Sequence, residues 1–101
     1  MTNEDKIDNM LKTLQRRQDN PNFKLHKFEV YSVPEQKEKV VHSKYTTQRL
    51  GESETIDEWV LVSNGKAEPL QQLIPDKTAR IEFVSSLENA KYALGGVIFN
   101  R

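Results

Sequence analysis

An α+β fold is what this sequence predicts: an N-terminal amphipathic helix packed on a curved antiparallel sheet of four to five strands, with a second short helix near the C-terminus. Three observations carry the expectation. Ile7, Met10, Leu11 and Leu14 recur at i, i+3, i+4 and i+7, the spacing of one helix face. Phe28 and Val30 alternate ahead of Pro34-Glu35-Gln36-Lys37, and Val41 follows it, as in two strands joined by a short loop. Trp59-Val60-Leu61-Val62 then runs into Asn64-Gly65, the pair best suited to a two-residue type I′ turn because both central positions need φ > 0.

The helix is expected over residues 3 to 18. Thr2 or Asn3 can cap it, with Glu4 and Asp5 in the first turn and Arg16 and Arg17 in the last, each sign opposing the partial charge of its helix end. Asp19-Asn20-Pro21-Asn22 stops it. Strands follow at 26 to 33 and 38 to 48. With a four-residue loop between them, paired positions sum to 71, so Val30 faces Val41, Phe28 faces Ser43 and His26 faces Tyr45 on an apolar side. Glu29 with His42 and Tyr31 with Val40 make the other side polar and half exposed. A slip of one residue would turn Phe28 and Val30 to that polar side, which argues for this register. Phe23 and Leu25 have the opposite parity, and this predicts a bulge or bend near His26-Lys27.

Gly51 to Thr55 reads as a polar turn leading into a strand at 56 to 63. Trp59 and Leu61 point one way and Val60 and Val62 the other, so this strand is expected to be covered on both faces and central in the sheet. Beyond Asn64-Gly65 paired positions sum to 129, which sets Pro69 opposite Val60 where no cross-strand hydrogen bond is needed. Glu68 to Ile74 also reads as a helix with Pro69 at its first position; a short strand followed by a helical turn is preferred. After Pro75-Asp76-Lys77, Ala79 to Val84 alternates like a half-buried strand, with Ile81 and Phe83 on one side. Ser85 to Glu88 has capping-box spacing, and Leu87, Ala90, Lys91 and Leu94 share one side of a short helix ended by Gly95. Val97-Ile98-Phe99 is expected to return to the sheet. The expected core is Ile7, Met10, Leu11, Leu14, Phe28, Val30, Val41, Trp59, Leu61, Ile81, Phe83 and Leu94. The element order, a helix and then a curved sheet, resembles cystatin-like or NTF2-like architecture, and a resemblance of order alone implies no function.

One hundred and one residues predict one domain, which buries roughly 60 to 65% of its unfolded surface without staples. The chain has no cysteine, which removes disulfides, thiol nucleophiles and thiolate zinc sites and suits a reducing compartment. The N-terminus shows no basic leader backed by an apolar run, so a cytoplasmic location is expected, away from the membrane. Fifteen basic residues balance fifteen acidic ones, but unevenly: from Lys12 to Arg49 there are nine Lys or Arg against four Asp or Glu, while Glu52 to Glu58 holds four acids. Such asymmetry marks either a polyanion-binding face or ordinary solvated surface.

Chemistry-bearing residues are few. His26 and His42 are the sole histidines, and the hairpin register sends them to opposite faces, so they cannot share a metal. His42 opposite Glu29 has the make-up of an acid-base pair, although surface cross-strand pairs of this kind are commoner. Glu52, Glu54, Asp57 and Glu58 offer oxygen ligands without the glycine and terminal bidentate Glu of a calcium loop. Gly95-Gly96 follows a helix instead of opening one, so it is no phosphate loop. No serine stands in a nucleophile-elbow pattern. The reading is therefore a non-enzymatic chain without metal or cofactor: a small binding or inhibitory protein, of the size common among phage and mobile-element accessory proteins, acting through a charged patch on a protein partner. The expected contributors are Arg16, Arg17, Lys24, Lys27, Lys39 and Lys44. The alternative is an RNA- or DNA-binding module using the same basic half, in which Phe23, Tyr31 and Tyr45 are interleaved with cations.

Overall fold

The computed structural model describes residues 2 to 93, and in chain order these form α1 (Asn3–Arg17), β1 (Phe23–Ser32), β2 (Lys39–Arg49), β3 (Glu52–Ser63), β4 (Lys66–Pro69), α2 (Leu70–Leu73), α3 (Lys77–Ser85) and β5 (Glu88–Ala93). The strands make one antiparallel sheet in the order β4-β3-β2-β1-β5. Helix α1 begins at a reciprocal cap: the Thr2 hydroxyl accepts from the Asp5 N–H at 3.1 Å, and the Asp5 carboxylate accepts from the Thr2 N–H at 3.3 Å. The Asn3 side chain ties that end to two hairpin loops at once. Its Nδ2 donates to the Lys37 carbonyl at 3.1 Å, and its Oδ1 accepts from the Gly65 N–H at 2.9 Å.

The helix lays its apolar stripe on one face of the sheet. Ile7 is buried there with Phe28, Val30, Val41, Val60 and Val62, and Met10, Leu11, Leu14 and Ala67 pack against this cluster half-buried. The β1–β2 register follows the sum of 71 from Lys27 to Ser32 and slips between Leu25 and Lys27, so that Leu25, and not His26, faces Tyr45. The extra residue at His26 is what turns Phe23 and Leu25 inward, where both are buried.

The central strand is β2 and not β3. β3 is longer than expected, since Gly51 to Thr55 is no polar turn: Leu50-Gly51 alone reverses the chain, with φ of 55° and 83°, and β3 starts at Glu52. Arg49, Thr47 and Lys44 on β2 face Glu52, Glu54 and Asp57 on β3, a charge and polarity match that keeps the polar segment in the sheet. Beyond Ser63, Asn64 and Gly65 have φ of 54° and 72°, and β4 pairs as expected with Pro69 opposite Val60. Gly65→Val is expected to cost about 1 to 2 kcal/mol, the penalty of a left-handed branched residue, read as a lowered midpoint in urea; an unchanged midpoint would show that the turn opens freely.

Two elements after Pro75 are exchanged relative to the sequence expectation. Ala79 to Val84 is helical, not extended, because Asp76 caps it by accepting from the Ala79 N–H at 3.0 Å. Its half-buried residues, Ala79, Arg80, Phe83 and Val84, are spaced by four, and Ile81, expected in the core, is 56% exposed. Ser85 ends this helix instead of capping the next one, and Glu88 to Ala93 is strand β5 on the outer side of β1. The expected roles of Leu94, Gly95 and Val97 to Phe99 lie outside the described residues. The connection from β4 to β5 runs from one sheet edge to the other. It passes over the face away from α1, where Arg80, Ile81 and Val84 share a cleft with Trp59. Val40 on that face is fully buried and Leu70 is 1% exposed, so the sheet is covered on both sides.

Candidate functional site

The face away from α1 carries a cluster of polar and aromatic side chains. His42 on β2 is 8% exposed, with its Nδ1 3.2 Å from Glu29 Oε1 and its Nε2 2.6 Å from Asp57 Oδ1. The Trp59 ring stacks on the imidazole at 4.0 Å and 6°, and Tyr31 stacks against Trp59 at 5.7 Å and 28°. Register dictates the arrangement, since Glu29, His42 and Trp59 are directly opposed on β1, β2 and β3, and Asp57 is one alternation away. The Glu29–His42 pairing expected from the sequence is present; the second carboxylate and the covering indole are what the sequence did not disclose. Both ring nitrogens are engaged on opposite sides of the ring and its face is stacked on Trp59. The group is thus built to pin three strands together, and its two carboxylates cannot converge on one ion. Among the described residues, no set of three His, Cys, Asp or Glu is placed to hold a metal.

Burial and, after it, the neighbouring Glu29 carboxylate push the Tyr31 hydroxyl above the ordinary phenol value of 10.0. Because the folded value is the higher one, Tyr31 contributes stability that is fully present below pH 10.0 and is lost as pH rises through the folded value. Tyr31→Phe is expected to flatten the fall in unfolding free energy above about pH 10, measured by urea denaturation across that range. An unchanged slope would show that Tyr31 titrates as a free phenol.

The six cations expected to form one patch are divided by the sheet. Lys27 and Lys44 are directly paired, and Lys24, paired with Thr46, shares their face, the one away from α1. Lys27 also reaches Glu29 at 3.9 Å. Arg16 and Arg17 end α1 on the opposite side. Arg17 lies over the rings of Phe23 at 4.4 Å and Tyr45 at 5.4 Å, and those rings are 5.2 Å apart. Lys39 is at the far end of the hairpin, where its Nζ donates to Ser32 Oγ at 3.3 Å. Phe23 is buried and carries Arg17 on its face, so it offers no open stacking surface to a base.

A residue that the sequence reading passed over stands at the tip of the β2–β3 hairpin. Leu50 is 97% exposed and sits in the left-handed region at φ 55°. The signal for it was legible in Arg49-Leu50-Gly51-Glu52, a tight turn between opposite charges. Along the same hairpin, Glu52, Glu54, Asp57 and Glu58 are exposed. β3 has β2 on one side throughout, while β4 covers its other side from Val60 onward. At the corner where β4 ends, a cleft of about 490 Å³ opens between Trp59, Pro69, Leu70 and the α3 residues Arg80, Ile81 and Val84. Arg80 is committed locally, donating to the Ile74 and Pro75 carbonyls at 2.9 and 3.1 Å. No helix among the described residues is long and apolar enough to cross a membrane. Compared with known proteins, the chain matches no family model, no curated protein and no solved structure.

Proposed function

We propose that this chain is a small non-catalytic binding or inhibitory protein that acts on a protein partner through the charged β2–β3 hairpin, with Lys24, Lys27 and Lys44 contributing from the adjoining face. The observation that carries this reading is Leu50. A leucine in the left-handed region is strained by roughly 1 to 2 kcal/mol relative to ordinary backbone, and at 97% exposure it recovers nothing by packing. Strain and apolar exposure together at a hairpin tip support a contact with another molecule. The charges around it set encounter rate and orientation. The His42 cluster supports the non-catalytic part, since its ring is held at both nitrogens and covered by Trp59.

The test begins with retention of host proteins on the immobilised full chain after nuclease treatment, followed by surface plasmon resonance of the retained protein against variants. Leu50→Asn is expected to raise stability by about 0.5 to 1 kcal/mol, since Asn tolerates the left-handed region, while weakening binding at least tenfold. Reversing Lys24, Lys27 and Lys44 to Glu is expected to slow association at low salt, and reversing Arg16 and Arg17, on the other side of the sheet, is expected to matter less. Binding that the nuclease abolishes would favour the nucleic-acid alternative, and an unchanged affinity of Leu50→Asn would overturn the hairpin reading.

A further inference from the structure

We infer that the outer edge of β3 accepts an extended basic segment of a partner as an added strand, with one apolar side chain of that segment in the cleft at Trp59. This rests on the protein-binding reading above and names its partner chemistry. The two tight turns fix which backbone groups face outward. In a two-residue hairpin the residues flanking the turn exchange both hydrogen bonds, so Arg49 and Glu52 bond across β2–β3, and Ser63 and Lys66 bond across β3–β4. Alternation then points the N–H and C=O groups of Glu52, Glu54, Ile56 and Glu58 at β2, and those of Ser53, Thr55 and Asp57 outward. β4 satisfies the outward groups only from Val60 upward and then leaves the sheet as α2, so the edge below it is open among the described residues.

An open edge invites pairing, and its charges decide with what. Glu52, Glu54 and Glu58 project on the α1 face and Asp57 on the other; Arg49 stands opposite Glu52 in the register, but none of the three glutamates has a cation within 4.0 Å among the described residues. A second copy of this edge would set Glu52 against Glu58 in antiparallel pairing, which like charges oppose. A segment with cations at alternate positions meets the same edge favourably. At the upper end, where such a strand would arrive beside Pro69, the position opposite Trp59 points to the face of the cleft. Trp59, Leu70, Ile81 and Val84 form the apolar part of the cleft, beside the polar Asp57, Glu58, Gln71 and Ser85, and its one cationic side chain, Arg80, is already bonded to backbone carbonyls. An apolar side chain therefore suits that position.

Read off the register in the antiparallel sense, the complementary peptide is Leu-Lys-Thr-Val-Thr-Lys-Thr-Lys, with leucine at the cleft and lysines opposite Glu58, Glu54 and Glu52. Titrated into the full chain, it is expected to shift the emission of Trp59, the sole tryptophan. It is also expected to slow amide exchange at Ser53, Thr55 and Asp57 but not at Glu54 and Ile56, whose N–H groups already bond to β2. Glu52→Lys with Glu54→Lys should weaken it about tenfold at low salt, and N-methylation of its three threonines, which face β3, at least as much. Failure of the peptide to bind, equal affinity of the N-methylated form, or protection without the odd-even alternation would overturn strand addition. Those results would leave the protein-binding reading standing or falling on the Leu50→Asn measurement alone, because the retained host protein is tested there without assuming how it docks.

Discussion

Phe28→Ala is expected to destabilise the protein by about 3 to 5 kcal/mol, the range for deleting a fully buried phenylalanine. Phe28 has no exposed surface and lies on β1 among Ile7, Val30, Val41, Val60 and Val62, so its ring is shared by α1 and three strands. A chain of this length has a total stability of about 5 to 15 kcal/mol, so the loss is a large fraction of what holds it folded. The backbone around the site is fixed by cross-strand hydrogen bonds on both sides of β1, which limits how far the cavity can collapse and favours the upper part of the range. Leu11→Ala is the contrasting case. Leu11 is half-buried at the margin of the cluster, and about 1 to 2 kcal/mol is expected. Urea unfolding of the two variants decides between them. Equal losses would mean that the helix stripe and the sheet core carry the same weight, contrary to the burial.

The sheet was legible where the chain repeats a period of two between turns with specific chemistry. Val30 against Val41 and Val60 against Pro69 follow from loop length and from Asn64-Gly65, and the bulge at His26 follows from the parity change between Leu25 and Phe28. The α1 stripe was legible because four apolar residues and a capping threonine agree. The segment after Pro75 misled for a physical reason. Ile81 and Phe83 alternate over too few residues to outweigh a helix cap at Asp76, and a segment that short also makes less than two turns of helix. Ser85 has the composition of a start signal but stands where the helix ends, since its hydroxyl donates back to the Ile81 carbonyl at 2.9 Å.

The candidate site was legible only in part, because charge in sequence is not charge on a surface. Arg16 and Lys24 are eight positions apart, yet the sheet lies between them. Arg49-Leu50-Gly51-Glu52 signals a tight turn, but the significance of Leu50 depends on a backbone angle and an exposure that the turn pattern alone does not give. The β3 edge likewise depends on where β4 stops, and Pro69 gives the only hint of that. A proline suits the entry to a helix, and the chain turns into α2 at the next residue.

His42→Ala is expected to cost about 2 to 4 kcal/mol, more than a surface cross-strand pair could supply. Three contributions set that figure. The imidazole–indole stack at 4.0 Å is worth about 0.5 to 1.5 kcal/mol beyond its area. The contact with Glu29, whose side chain is 27% exposed, is a hydrogen bond to a partly desolvated carboxylate and contributes about 1 to 2 kcal/mol. The shorter contact with Asp57 adds less, because that side chain is 52% exposed and water can replace the imidazole. The ordering can be checked directly: Asp57→Asn is expected to cost under about 1 kcal/mol. A double-mutant cycle between His42 and Trp59 should give a coupling of about 0.5 to 1.5 kcal/mol. A loss below about 0.5 kcal/mol for His42→Ala would mean that Glu29, Asp57 and Trp59 do not depend on the ring. The cluster would then be free to serve a ligand and not the fold. The expected larger loss assigns it to holding β1, β2 and β3 in register beneath the α2–α3 connection, which keeps Trp59 in place as one wall of the cleft and leaves binding to the hairpin that projects beyond it.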